Sequence, residues 1–197
     1  MKGKLIIGLV VVGLLVFFGI SINNGLVEKE EAVEGAWAQV ENQYQRRADL
    51  IPNLVNTVKG AANFEQETLT SVIEARSKAT SVNINASDLS DPAKFQQFQQ
   101  AQGELSGALS RLLVSVERYP ELKANSNFRD LQSQLEGTEN RIATERKRFN
   151  DTAQSYNSSI RKFPTSIFAS IGGFERKAYF EADQGAENAP TPAAPVQ

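Results

Sequence analysis

Residues 32–60 read AVEGAWAQVENQYQRRADLIPNLVNTVKG. Within them Val33, Trp37, Val40, Tyr44, Arg47, Ile51, Leu54 and Val58 recur at spacings of three and four, the period that gathers side chains on one face of an α-helix. The rhythm runs on through Ala61, Glu65, Leu69, Val72, Arg76 and Ala79. Such a heptad-like seam is expected where a helix packs nearly antiparallel against others. Read as one element from about Leu26 to Thr80, it predicts a helix roughly 80 Å long. Pro52 removes one ladder hydrogen bond and is expected to kink it, and Gly60 loosens it further. The alternative is two helices divided near Pro52 or at Gly60–Asn63; the unbroken phase of the seam favours the kink.

On the N-terminal side, Leu5 to Ile22 (LIIGLVVVGLLVFFGISI) is uncharged, interrupted only by three glycines and one serine. At about 1.5 Å per residue it covers roughly 27 Å, close to the thickness of a bilayer's hydrocarbon core. A core helix of a soluble domain would carry a polar stripe, and this run has none. It therefore reads as a transmembrane anchor. The competing reading is a cleaved signal peptide, but the run exceeds an ordinary signal-peptide core and no A-x-A site follows it. Lys2 and Lys4 precede the run, while Glu28, Lys29, Glu30 and Glu31 follow it. Cationic flanks stay cytoplasmic, so the N-terminus is expected in the cytoplasm and the rest outside it. With only Asn23-Asn24-Gly25 between, the anchor is expected to run into the long helix and to stand the folded domain away from the bilayer.

On the C-terminal side, residues 81–91 (SVNINASDLSD) read as a loop. Asp91 then caps a helix that begins with Pro92, with Phe95, Phe98, Leu105, Leu109, Leu112 and Val116 on its apolar face and Gln102 in the seam. Tyr119-Pro120 stops it. Residues 125–127 offer caps for a last long helix, whose face is Phe128, Leu131, Leu135, Ile142, Phe149, Tyr156, Ile160 and Phe163. Pro164 ends that helix and precedes a short amphipathic segment, TSIFASI, closed by Gly172-Gly173. Phe174, Tyr179 and Phe180 are expected to dock a terminal strap. From about Glu181 the chain is acidic and Ala/Pro-rich and is expected to be disordered. The fold class read from these segments is all-α: one N-terminal transmembrane helix followed by an antiparallel four-helix bundle. The domain boundaries are 1–24 for the anchor, 25–180 for the bundle and 181–197 for the tail.

Composition narrows the function. The chain has no histidine and no cysteine, which removes the commonest general base, the usual zinc ligands, the Ser-His-Asp triad and every thiol nucleophile. The E-x-x-H metal motif of ferritin-like bundles is excluded on the same ground. Taking Lys2 and Lys4 from the 21 basic residues leaves 19 against 23 acidic ones, a formal charge near −4 beyond the anchor. No basic block stands out, so nucleic acid is not an expected partner. Neither a catalytic constellation, a metal site nor a cofactor is expected.

The residues singled out are charges in seam phase: Arg47, Glu65 and Arg76 on the first stretch and Glu145 on the last. Three readings stand for them: a buried network that binds a ligand or ion, a structural network that fixes helix register, or side chains that pack their stems and keep their heads in water. Asp49 and Pro52 form a second candidate. The kink could open a binding notch, or Asp49 or an arginine could satisfy the carbonyl that Pro52 leaves without its donor; the structural reading is favoured.

RRADLIPNLV (46–55), VKGAANFE (58–65), EAR (74–76), ERYPELKAN (117–125), LQSQLEGTENRIA (131–143), RFN (148–150), Tyr156-Asn157 and Phe163-Pro164 together resemble the LemA family of bacterial membrane proteins. The resemblance covers nearly the whole chain from the anchor to about Phe180. It implies one transmembrane helix and an antiparallel four-helix bundle in the cell envelope, and it implies no particular chemistry. The expected function is that of a non-enzymatic, single-pass protein of the bacterial inner or plasma membrane, with the bundle periplasmic, acting through protein partners or self-association. The alternative is an envelope sensor that binds a small ligand or ion through the Arg/Glu network.

Overall fold

The computed structural model describes residues 2–61 and 64–181. The elements are α1 (Lys2–Lys59), α2 (Gln66–Ser81), α3 (Pro92–Val116), α4 (Pro120–Ala124), α5 (Ser126–Arg161) and α6 (Thr165–Gly172), with a 3-10 turn at Ala86–Ser90. The described part is all-α. The acidic tail expected to be disordered lies, from residue 182 onward, outside the described residues.

Helix α1 runs unbroken for 58 residues, roughly 87 Å. Among the described residues it alone contains a stretch long and apolar enough to cross a membrane. Ile6, Leu9, Phe17 and Ile20 in that stretch are 56–73% exposed. The expectation of one helix reaching Thr80 is corrected: α1 passes through Pro52 and stops at Lys59, and α2 starts afresh at Gln66. The stop is local. Gly60 and Ala61 donate three residues back, to Thr57 O at 3.3 Å and Val58 O at 3.0 Å, tightening and closing the last turn. The seam kept its phase across this break because both helices turn the same face to the core. Val58 and Leu69 are both essentially inaccessible.

The long helices pair with opposite chain directions. Lys29 meets Ser155 and Arg47 meets Glu139 along α1 and α5; Glu65 meets Ser115 and Lys78 meets Glu104 along α2 and α3. Local chemistry sets their ends. Asp91 accepts from the Ala93 and Lys94 amides, with Pro92 in the first turn of α3. Asn125 accepts from Phe128 N at 3.2 Å to start α5. Gly173 closes α6 with φ 73°, a conformation glycine adopts without steric cost.

The core has two parts. In the part nearer the apolar stretch, Trp37 packs against Phe95, Phe98, Phe149 and Phe180 with ring centroids 5.4–6.0 Å apart, and its indole donates to Ile84 O at 3.2 Å. The distant part joins Ile51, Leu54, Val58, Leu69, Leu105, Leu112 and Leu135. At the expected seam positions of α3 every side chain is buried, Gln102 included. On α5 one expected position fails: Phe163 lies beyond the helix end and is 82% exposed.

After α6 the chain continues as an extended strap. Two asparagines seven apart on α5 hold it. Asn157 exchanges two hydrogen bonds with the Lys177 backbone, 2.8 and 2.9 Å, and Asn150 does the same with Phe180, both 2.9 Å. Each amide thus imitates a strand neighbour. Phe180 is buried and Phe174 half-buried, whereas Tyr179 faces outward, correcting the expectation that all three aromatics dock. A strand-like segment alternates its side chains, so Tyr179 cannot point the same way as Phe180.

Candidate functional site

Between the two parts of the core lies a polar layer centred on Arg47, which is 1% exposed. One Nη donates to Ser106 Oγ and to Glu139 Oε1, both at 2.7 Å. The other donates to Gln102 Oε1 at 2.6 Å and Gln102 O at 3.3 Å. The Gln102 amide passes the chain of bonds on to Ala79 O at 3.2 Å. The Tyr44 ring lies beneath the guanidinium, 5.1 Å from its centroid. Arg47 Nε has no hydrogen-bond partner. A cleft of about 620 Å³ opens over this layer, lined by Tyr44, Arg47, Gln99, Gln102, Glu139 and Arg146 among others. An arginine whose planar fork is held on three sides is a rigid cation, and a buried one must be paired to be tolerated.

The four seam charges are not brought together into one group. Arg47 pairs with Glu139 rather than with Glu145. Glu145 lies mostly inside and meets Arg148 on its own helix at 3.8 Å. Glu65 precedes α2 and bonds Arg118 at 2.7 Å, Thr68 at 3.1 Å and Ser115 at 3.4 Å, tying the start of α2 to the end of α3. Arg76 donates through Nε to Ala48 O at 2.8 Å. That carbonyl lies four residues before Pro52, so it is the acceptor that the proline leaves without an N–H. Asp49 does not serve it; its carboxylate accepts from Gln45 Nε2 at 2.8 Å.

Sequence reasoning missed Ser106 and Glu139 as partners of Arg47, and Arg118 as the partner of Glu65. Gln102, noted in the seam, was the available signal for the first group. A second polar set was missed entirely. Lys177, 7% exposed, bonds Glu30 Oε1 at 2.7 Å and lies 5.7 Å from the Tyr156 ring centroid. Burial, and then the Glu30 carboxylate beside it, pushes the Tyr156 hydroxyl well above the usual tyrosine range. Among the described residues no group of three or more His, Cys, Asp or Glu side chains could hold a metal ion.

The fold and site together define a class: an all-helical protein with a buried polar layer and one helix of membrane-crossing length. The LemA family profile matches residues 36–192, and the chain belongs to the LemA family. It is similar to the magnetosome protein MamQ of Magnetospirillum gryphiswaldense, 27% identical over 173 residues, which cover 80% of this chain and 64% of that protein. Magnetosome protein MamQ 1 of Paramagnetospirillum magneticum is 27% identical over 174 residues, with the same coverages of 80% and 64%. Protein LemA of Metamycoplasma hominis is 24% identical over 174 residues, covering 88% of this chain and 75% of that protein. The chain thus spans less than two thirds of the length of the MamQ relatives it matches.

Proposed function

We propose that this chain is a single-pass, membrane-anchored scaffold or interaction protein of the bacterial cell envelope and does no catalysis. The observation that carries the reading is the continuity of α1, which is one helix from the apolar stretch to Lys59. The gap in its hydrogen-bond ladder at Pro52 is filled by Arg76, so a load or partner on the folded part is mechanically joined to the anchor. The bare side chains of Ile6, Leu9, Phe17 and Ile20 support the anchor itself. Each would cost about 1.5–3 kcal/mol in water, and lipid removes that cost.

In this reading residues 1–24 are the anchor, 25–180 form an antiparallel bundle of the four long helices α1, α2, α3 and α5, and 181–197 are a solubilising tail. Lys2 and Lys4 keep the N-terminus cytoplasmic, which puts the bundle on the periplasmic side. The lack of histidine and cysteine favours binding over catalysis. The long exposed faces of α2, α3 and α5 are where protein partners or a second copy would dock. Crosslinking in intact cells with mass-spectrometric readout is expected to enrich a defined set of envelope proteins, or the chain itself. A strictly monomeric protein with no enriched neighbour counts against the reading. For orientation, a C-terminal tag is expected to be digested when protease is added to spheroplasts; a protected tag reverses the assignment.

A second reading is favoured by the cleft over Arg47, where Arg47, Arg146 and several glutamines, facing Glu139 and Glu181, offer donors to a small anion. Thermal-shift screening of carboxylates, phosphate and metal ions is its test. An anion-specific rise in melting temperature that Arg47→Met abolishes supports it, and no response to any anion removes it.

A further inference from the structure

The segment around α6 leaves three large apolar side chains uncovered, while Phe168 of the same helix turns inward. Ile167 and Ile171, one turn apart on α6, are 51% and 80% exposed, and Phe163 in the turn just before the helix is 82% exposed. On the inner side Ala169 is buried and Phe168, half-buried, lies against α1. The contact with α1 is close, because a Cβ added at Gly19 would come within 2.8 Å of the Phe168 ring. A Cβ at Gly172 would stand 3.7 Å from Asn23 Oδ1. Helix α6 therefore lies beside residues 19–23, the last turn of the apolar stretch. Ile20, 56% exposed, and Phe17, 73% exposed, are uncovered apolar residues of α1 at the same level.

We propose that α6, with Phe163, is seated in the headgroup–acyl boundary of the leaflet from which the bundle emerges, its exposed face covered by phospholipid. The proposal rests on the reading that residues 5–22 span the bilayer. Three observations favour lipid over other occupants. The exposed apolar residues sit on a helix packed against the membrane-length segment, they lie at that segment's end, and the adjoining elements carry exposed cations. Arg161 and Lys162 at the end of α5 and Arg176 in the strap are exposed, as are the acidic Glu175 in the strap and Glu28 and Glu31 on α1. An interfacial helix ordinarily draws its lysines and arginines from its own polar face. Here the neighbouring elements supply them, and long side chains can reach outward to phosphate. A helix placed this way holds the base of the bundle on the membrane and fixes its rotation about α1.

The chain has no cysteine, so single labels are unique. Phe163→Cys, Ile171→Cys, Val12→Cys in the anchor and Ser133→Cys toward the far end of α5 are each labelled with an environment-sensitive fluorophore. The proteins are then reconstituted in phosphatidylcholine–phosphatidylglycerol vesicles. The expected result is that labels at 163 and 171 lose quenching by iodide and gain quenching from shallow doxyl lipids, while 12 responds to deep doxyl lipids and 133 to iodide. If 163 and 171 respond to iodide as 133 does while 12 stays lipid-quenched, α6 faces water and the proposal falls alone. If 12 is also iodide-accessible, the anchor reading falls and takes the proposal with it. If 163 and 171 escape both quenchers, a second protein copy covers them and the lipid assignment is overturned. Quenching of 163 and 171 by deep doxyl lipids as strong as at 12 overturns the interfacial depth.

Discussion

The Nε of Arg76 donates a 2.8 Å hydrogen bond to the carbonyl of Ala48, the acceptor left open by Pro52 one turn later. A proline in a helix interior ordinarily costs about 3 kcal/mol, in part through that lost bond. An arginine from the neighbouring antiparallel helix replaces the missing N–H and so binds α2 to α1 at the weakest point of the longest helix.

Arg76→Met is therefore expected to destabilise the protein by about 1–2 kcal/mol, and Pro52→Ala to reduce that cost by supplying the N–H donor that proline lacks. A double-mutant cycle read by urea unfolding in detergent should show coupling above about 0.5 kcal/mol. Additive effects would mean that the carbonyl gains nothing from Arg76.

The polar layer makes a sharper prediction about pairing. Arg47→Met should cost about 2–4 kcal/mol, because Gln102, Ser106 and Glu139 lose a shared donor inside or at the edge of the core. Glu139→Gln should cost less, since that carboxylate is 42% exposed and solvent screens it. Arg47 and Glu139 should couple in a thermal-unfolding cycle, whereas Arg47→Met with Glu145→Met should add to within about 0.5 kcal/mol. Coupling to Glu145 instead of Glu139 would contradict the register of α1 against α5.

Strap docking depends on Asn150 and Asn157. Replacing either by alanine removes two bonds and strands a backbone N–H and C=O, at about 1–3 kcal/mol each. Amide hydrogen exchange should accelerate at Lys177 in Asn157→Ala and at Phe180 in Asn150→Ala, with the middle of α3 unaffected. Unchanged protection at both amides would show that side-chain packing alone holds the strap.

Alkaline pH tests the Tyr156 environment. Its folded pKa is raised by burial and Glu30, so between the unfolded value near 10 and the higher folded value the native state holds the proton more tightly. The resulting stabilisation is fully present below about pH 10 and is lost as pH rises through the folded value, at up to about 1.4 kcal/mol per pH unit. Unfolding free energy measured across this window should fall less steeply in Tyr156→Phe than in the parent. Equal slopes would place the hydroxyl in water.

Much of the fold was legible because the relevant physics is short-ranged. The three–four spacing placed Val33 to Val58 and Phe95 to Val116 on buried faces, and Asp91-Pro92, Asn125 and Gly173 marked helix ends by bonds made within a few residues. The break after Lys59 was harder to read. The seam of α2 resumes in phase with that of α1, and periodicity does not reveal a reversal of chain direction.

By itself the sequence determined helix, face and cap, and it marked one apolar segment of membrane-crossing length, since each follows from local period, backbone geometry or composition. It also singled out Arg47 and Arg76 as charges in an apolar seam. What each of them bonds was decided only by the tertiary structure. Arg47 selects Glu139, Gln102 and Ser106, and Arg76 selects the Ala48 carbonyl, because partner choice depends on how helices far apart in the chain are aligned. That alignment is set by the packing of the whole core on both sides of the polar layer, and no local spacing encodes it.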